Sequence, residues 1–272
     1  MLEEDHIDVG GQAITFMSTA GSGPSVVMVH GNSSSSQVWR QVLEDEVGRR
    51  HRCLALDLPG HGRSAPARSL EDYSLPGHSA ALAGFLEQVG AQDAAIIGWS
   101  LGGHVAFEAM PYLTEAAGFM VFGTPPIGTG ADLGRAFSPN QALDVGFTPD
   151  VTVEAALTYS SSFLAPNSPI PADRFVTDIL ATDPAARTGL GASIQAGRFA
   201  DEVKTVGRMN RPLAVLHGEQ DQLVNLGYVQ GVAMPTLWRD EVQVVPGVGH
   251  ALMIEAPTEL SQLICEFVDS LG

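Results

Sequence analysis

Residues 96–104, IIGWSLGGH, constrain this chain more than any other stretch. Two branched apolar residues run into Gly98, and Ser100 stands between that glycine and the pair Gly102–Gly103. Where a buried strand turns sharply into a helix, the backbone leaves no room for a Cβ two residues either side of the turn. A packing serine needs no such frame. A serine raised on a tight strand-to-helix turn does, and the Gly-x-Ser-x-Gly pattern in that setting marks Ser100 as a nucleophile.

The rest of the chain repeats the alternation that such a turn requires. AITFMST (13–19), SVVMVH (25–30), RCLALDLPG (52–60), AAIIGWS (94–100) and GFMVFGTPP (118–126) read as strands. LPGHSAALAGFLEQVG (75–90) and LGGHVAFEAMPYL (101–113) carry helical spacing between them. This is the signature of a mostly parallel sheet covered by helices on both faces. Alternation fails between about Ile127 and Gly207, then resumes with RPLAVLHGEQD (211–221), EVQVVPGVGH (241–250) and a last helix at 257–272. The irregular segment, rich in Ala, Ser, Pro and Gly, is too long for a structureless loop inside one domain. It is expected to be a helical lid over residues 127–207, inserted into a core formed by 1–126 and 208–272.

Composition narrows the partners. In 272 residues, 14 basic side chains face 31 acidic ones, a net charge of −17, which disfavours nucleic acid and anionic membrane surfaces. No apolar run of about 18 residues or more suggests a membrane span. The acidic start, MLEEDHIDVGG, lacks the basic-then-apolar pattern of a signal peptide, so a cytoplasmic location is expected. Cys53 and Cys265 are expected to be buried free thiols.

A serine hydroxyl needs a neighbouring base. Among eight histidines, His250 ends the Gly-rich VPGVGH turn just before the last helix, where an imidazole can reach over the sheet edge. His104 belongs on the helix leaving Ser100 and is expected to pack or cap. His51, His61, His78 and His217 read as turn or core residues, and His30 as a support for its own loop. The base needs a carboxylate to hold its tautomer. In HGEQD, Asp221 is the candidate and Glu219 the alternative. Serine, acid and histidine then follow in an order unlike that of the two common protease folds. Oxyanion donors are expected from the backbone N–H groups of Asn32, in HGNSSSS (30–36), and of Leu101. No metal-ligand spacing and no Gly-x-Gly-x-x-Gly or P-loop occurs, so neither metal nor nucleotide cofactor is implied.

Taken together, HGN (30–32), DLPGHGRS (57–64), GWSLGGH (98–104), HGEQD (217–221) and GVGH (247–250) resemble the α/β-hydrolase superfamily. The resemblance implies an eight-stranded sheet, a lid between strands six and seven, and a triad of Ser100, His250 and Asp221. Serine at the nucleophile position departs from the haloalkane dehalogenases and epoxide hydrolases of that superfamily, which carry aspartate. HGNSSSS, DLPGHGRS, GWSLGGH and GTPP (123–126) are more narrowly similar to its metal-independent N-acyl homoserine lactonases. That likeness implies a small neutral ester or lactone substrate and opening of a lactone ring through an acyl-enzyme. Expected substrate contacts are Trp99, Tyr159, Phe122 and Ile127, with Phe137, Phe147, Phe163, Met253 and the Asn32 side chain as further candidates. A carboxylesterase or carbon–carbon bond hydrolase with the same triad, and a small-ligand receptor on the same fold, are the alternatives. The protein is expected to be a monomer or homodimer.

Overall fold

In the computed structural model, which describes residues 2–128 and 130–272, three of the apolar runs are buried at every position. They are β5 (Ala95–Trp99), β6 (Gly118–Phe122) and β7 (Leu213–Gly218). Strands buried on both faces read as continuous apolar segments rather than alternating ones, which is why their sequences show no period of two. With β1 (Glu3–Val9), β2 (Gln12–Ser18), β3 (Gly23–Val29), β4 (His51–Leu56) and β8 (Gln243–Val245) they form one eight-stranded sheet. Its order is β1-β2-β4-β3-β5-β6-β7-β8. From β4 to β8 every pairing is parallel; β1 with β2 and β2 with β4 are antiparallel. The fold is that of the α/β-hydrolases.

β1 is the strand the sequence reading missed. Its residues EEDHIDV are mostly exposed, and it is held by a full register of pairs with β2 across Gly10–Gly11. A charged edge strand buries too little to show an apolar pattern, and its charges also discourage pairing with other chains.

Helix boundaries follow local chemistry. The helix Leu75–Val89 starts at Ser74, whose hydroxyl accepts the Gly77 N–H, and stops at Gly90 in the left-handed conformation. Leu101–Ala109 begins directly after Ser100, and Pro257–Asp269 closes the chain. Cys53 and Cys265 are buried and free. Among the described residues no helix is long and apolar enough to cross a membrane.

The segment between β6 and β7 contains short helical pieces. It includes Val153–Ser162, Val176–Ala181, Pro184–Gln195 and Glu202–Gly207; Thr129 lies outside the described residues. Polar contacts tie it to the core. Ser35 Oγ donates to Asp178 at 2.7 Å, Asn32 Nδ2 to the Gly146 carbonyl at 2.7 Å, and the Tyr73 hydroxyl to Asp183. Arg187, buried within the insertion, donates to the carbonyls of Thr148, Pro149 and Ile179. Those bonds tie the helix Val176–Ala181 and the Thr148–Pro149 stretch to the helix that carries Arg187, with no apolar pattern to mark them.

Candidate active site

Ser100 has φ 53° and ψ −117°, a conformation that costs a non-glycine residue energy and persists only where its surroundings enforce it. Its N–H donates to the Phe122 carbonyl at 3.0 Å, and its own carbonyl accepts the Thr124 hydroxyl at 3.0 Å. The flanking glycines are required by space. A Cβ on Gly98 would lie 2.5 Å from the Gly102 carbonyl oxygen, and one on Gly102 would lie 2.2 Å from that of Val29. Strand, turn and helix are thus pressed together, and Ser100 is left partly exposed at the turn.

His250 follows the turn after β8. Its Nδ1 lies 2.8 Å from Asp221 Oδ2, and both side chains are buried, 2% and 0% exposed. Asp221 Oδ1 accepts the amides of Leu223 at 2.7 Å and Val224 at 3.1 Å. Burial alone would push the Asp221 carboxyl up, but the charge and hydrogen bond of His250 and the Leu223 amide together hold it below the ordinary aspartate range. Glu219, the other sequence candidate, is exposed and accepts the Gly247 N–H instead. The His250 carbonyl accepts the Trp99 indole N–H at 3.0 Å, while its ring stacks on Phe163. Glu255 bridges this turn to the insertion, accepting the N–H groups of Gly249 and Ala165.

The His250 ring abuts Gly123, one residue beyond the carbonyl that accepts the Ser100 N–H. Its Nε2 is buried and makes no hydrogen bond to any described residue, Ser100 included. Such contacts between base and nucleophile are often long in the free protein and tighten in the complex.

Ser100 opens onto a cavity of about 260 Å³ whose wall is mostly apolar. Asn32, Leu101, Ile127 and Tyr159 line it, as do Phe137 and Phe147. No backbone acceptor among the described residues meets the N–H of Asn32 or Leu101. The Asn32 loop is held from behind by His30, whose Nδ1 lies 2.7 Å from the Gly31 carbonyl and whose Nε2 accepts the Leu58 N–H at 3.0 Å. Tyr159 is buried, its ring 4.5 Å from that of Phe163 between centroids, and burial pushes its hydroxyl pKa up.

Two expected substrate contacts are placed elsewhere. Trp99 is not on the cavity wall: its ring packs between Phe163, Phe175 and His250, and its N–H is spent on the His250 carbonyl. Phe122 is fully buried edge-on against Trp39. Both lie in β5 and β6, whose side chains are taken by core packing. Phe163 and Met253 are likewise buried and off the wall. The wall residues missed in the sequence include Leu190, Ile194 and Phe199 of the insertion, and His104. His104 was legible in principle, since residues four apart on a helix share a face. Among the described residues no three His, Cys, Asp or Glu side chains converge as metal ligands would.

Residues 26–263 match the model of a family described as the alpha/beta hydrolase family. In structure, the chain is similar to a point mutant of the N-acyl homoserine lactonase AidH complexed with N-hexanoyl homoserine. The TM-score is 0.95 at 28% identity, covering 100% of this chain and 98% of that one. A pimeloyl-[acyl-carrier protein] methyl ester esterase of Nitrosomonas europaea is 26% identical over 259 residues, 89% of this chain and 94% of its own. An uncharacterized protein of Mycobacterium bovis is 35% identical over 89 residues, a third of this chain (33%) and a quarter (25%) of its own length. With its family match running through nearly the whole fold, the chain belongs to the alpha/beta hydrolase family.

Proposed function

We propose that this protein is a serine hydrolase that opens the lactone ring of N-acyl homoserine lactones. The observation that carries this reading is the small apolar cavity beginning at Ser100, in a chain that follows AidH along its full length. At about 260 Å³ the cavity lies at the low end of ligand pockets, which run from about 300 Å³ upward. That size suits a short neutral ester or lactone with a modest acyl chain, each buried methylene adding about 0.8 kcal/mol. Residues 127–207 act as the lid that closes it.

In this mechanism Ser100 Oγ attacks the lactone carbonyl carbon while His250 Nε2 takes the hydroxyl proton. Asp221 holds Nδ1–H and stabilises the imidazolium. The oxyanion rests on the N–H groups of Asn32 and Leu101, and the Tyr159 hydroxyl donates to the substrate's second carbonyl. The ring carbon–oxygen bond breaks, His250 protonates the departing alkoxide, and an acyl-enzyme remains. A water, deprotonated by His250, then releases N-acyl homoserine.

Mass analysis of the products tests the reaction. Gain of one water by the lactone, absent with Ser100→Ala, is the expected result; release of free homoserine lactone would identify amide cleavage instead. The second reading, a carboxylesterase, is favoured by the methyl ester esterase that matches over 89% of this chain. Hydrolysis of simple esters with intact lactones would select it.

A further inference from the structure

His104 lines the cavity four residues beyond Ser100, yet has no part in that mechanism. Its Nδ1 lies 2.9 and 3.0 Å from the two carboxylate oxygens of Glu202. Glu202 has no exposed side-chain surface; its Oε2 accepts the Ile127 N–H at 2.8 Å, and its own N–H donates to the Ile127 carbonyl at 2.8 Å. A nitrogen placed almost equally between two oxygens is a donor shared by an ionised carboxylate, since a carboxylic O–H would favour one of them. Nδ1 therefore carries the hydrogen, and in the neutral ring Nε2 is an acceptor. Among the described residues no donor meets Nε2. The wall of the cavity that His104 shares is mostly apolar, with Ile127, Phe137, Leu190 and Ile194.

We propose that His104 sets the choice of acyl chain, its Nε2 accepting a hydrogen bond from a hydroxyl on the third carbon of that chain. The proposal rests on the lactone-opening reading, because that reading sets the distance. With the lactone carbonyl carbon at Ser100, the third acyl carbon lies five bonds away, about 6 Å in an extended chain at about 3.8 Å per three bonds. The His104 N–H donates to the Ser100 carbonyl at 3.2 Å, which sets the two residues one helical turn, about 5.4 Å, apart along the axis. A 3-hydroxyacyl chain brings Nε2 a donor. An unsubstituted chain strips water from it and returns nothing, and a 3-oxo chain sets a second acceptor against it.

The test is kcat/KM on three N-acyl homoserine lactones of equal chain length: unsubstituted, 3-hydroxy and 3-oxo. The wild type is expected to favour the 3-hydroxy compound over the unsubstituted one by about tenfold, with the 3-oxo compound below the 3-hydroxy one. His104→Asn keeps an N–H for Glu202 and draws its remaining acceptor, Oδ1, back toward the helix from the position of Nε2, so the 3-hydroxy preference should fall to about onefold. The double variant His104→Leu with Glu202→Gln should do the same without leaving a buried charge unpaired. A ratio between substrates on one preparation does not depend on the folded fraction. A wild-type ratio near one, a 3-oxo preference, or a ratio unchanged in both variants overturns the proposal and leaves lactone opening standing. Failure to open any of the three rings overturns both.

Discussion

His250–Asp221 and His104–Glu202 repeat one arrangement, a buried carboxylate against Nδ1 at 2.8 and 2.9 Å. Their settings differ. Asp221 is steadied by two loop amides that favour its charge, and its histidine stands on a turn pinned by Trp99 and Glu255. Glu202 has one amide, its carboxyl is pushed up by burial, and its histidine is fixed on a helix with its free face toward an apolar wall. A carboxylate behind a histidine fixes which nitrogen is protonated. What lies in front of the other nitrogen decides whether the ring moves protons or reads a ligand.

The sharpest way to break that distinction is kinetic. Asp221→Asn should lower kcat on a p-nitrophenyl ester by about 10⁴-fold, and Glu202→Gln by less than about tenfold. Comparable losses in both would mean that the pairs do not differ in role. For stability the expected effect lies with Glu202. Glu202→Ala leaves the Ile127 N–H and His104 Nδ1 unpaired in the interior, at a cost of about 3 kcal/mol. A drop in Tm of several degrees by calorimetry is the expected reading; an unchanged Tm would show that water replaces the carboxylate.

Histidines without any carboxylate extend the contrast. His30, His61 and His78 are buried in a row, with ring centroids 5.1 and 6.0 Å apart. Burial lowers their pKa values from 6.5 to about 4, 3 and 3. Below about pH 6.5 the unfolded chain takes up protons that the folded one refuses, so their neutrality supports folding fully above that pH. That support is lost progressively as pH falls toward 3–4. Tm should therefore drop between pH 6.5 and 4.5, and His78→Phe should flatten the slope; an equal slope in the variant would place the acid sensitivity elsewhere. The smallest effect expected is at Tyr159. Tyr159→Phe removes one hydroxyl from the cavity wall and should reduce kcat/KM on a lactone about fivefold without moving the Tm by more than a degree or two. A loss near that of Asp221→Asn would give the hydroxyl a part in proton transfer.

Much of the sheet was legible because burial on both faces forces continuous apolar runs, and β3 through β7 lie within a few residues of where those runs stand. Gly98, Ser100 and Gly102 were legible for a related reason, since the turn excludes side chains and so writes itself as glycine. Between β6 and β7 the sequence showed helical fragments but not how they pack. The fragments are joined by side chains reaching backbone carbonyls, as Arg187 does, and such bonds leave no periodic trace.

By itself, then, the sequence determined an α/β sheet, a tight serine turn at the end of AAIIGWS, and the short set of strand-end residues from which a base and its acid could come. Tertiary structure alone decided that Asp221 rather than Glu219 meets His250, and that Trp99 and Phe122 are spent on packing. It also decided that His104 faces the cavity with Glu202 behind it, across nearly a hundred residues of chain. The physical reason is range. Burial and steric exclusion act on each residue where it stands and mark the local sequence, whereas a hydrogen bond between distant loops depends on where the fold carries both ends.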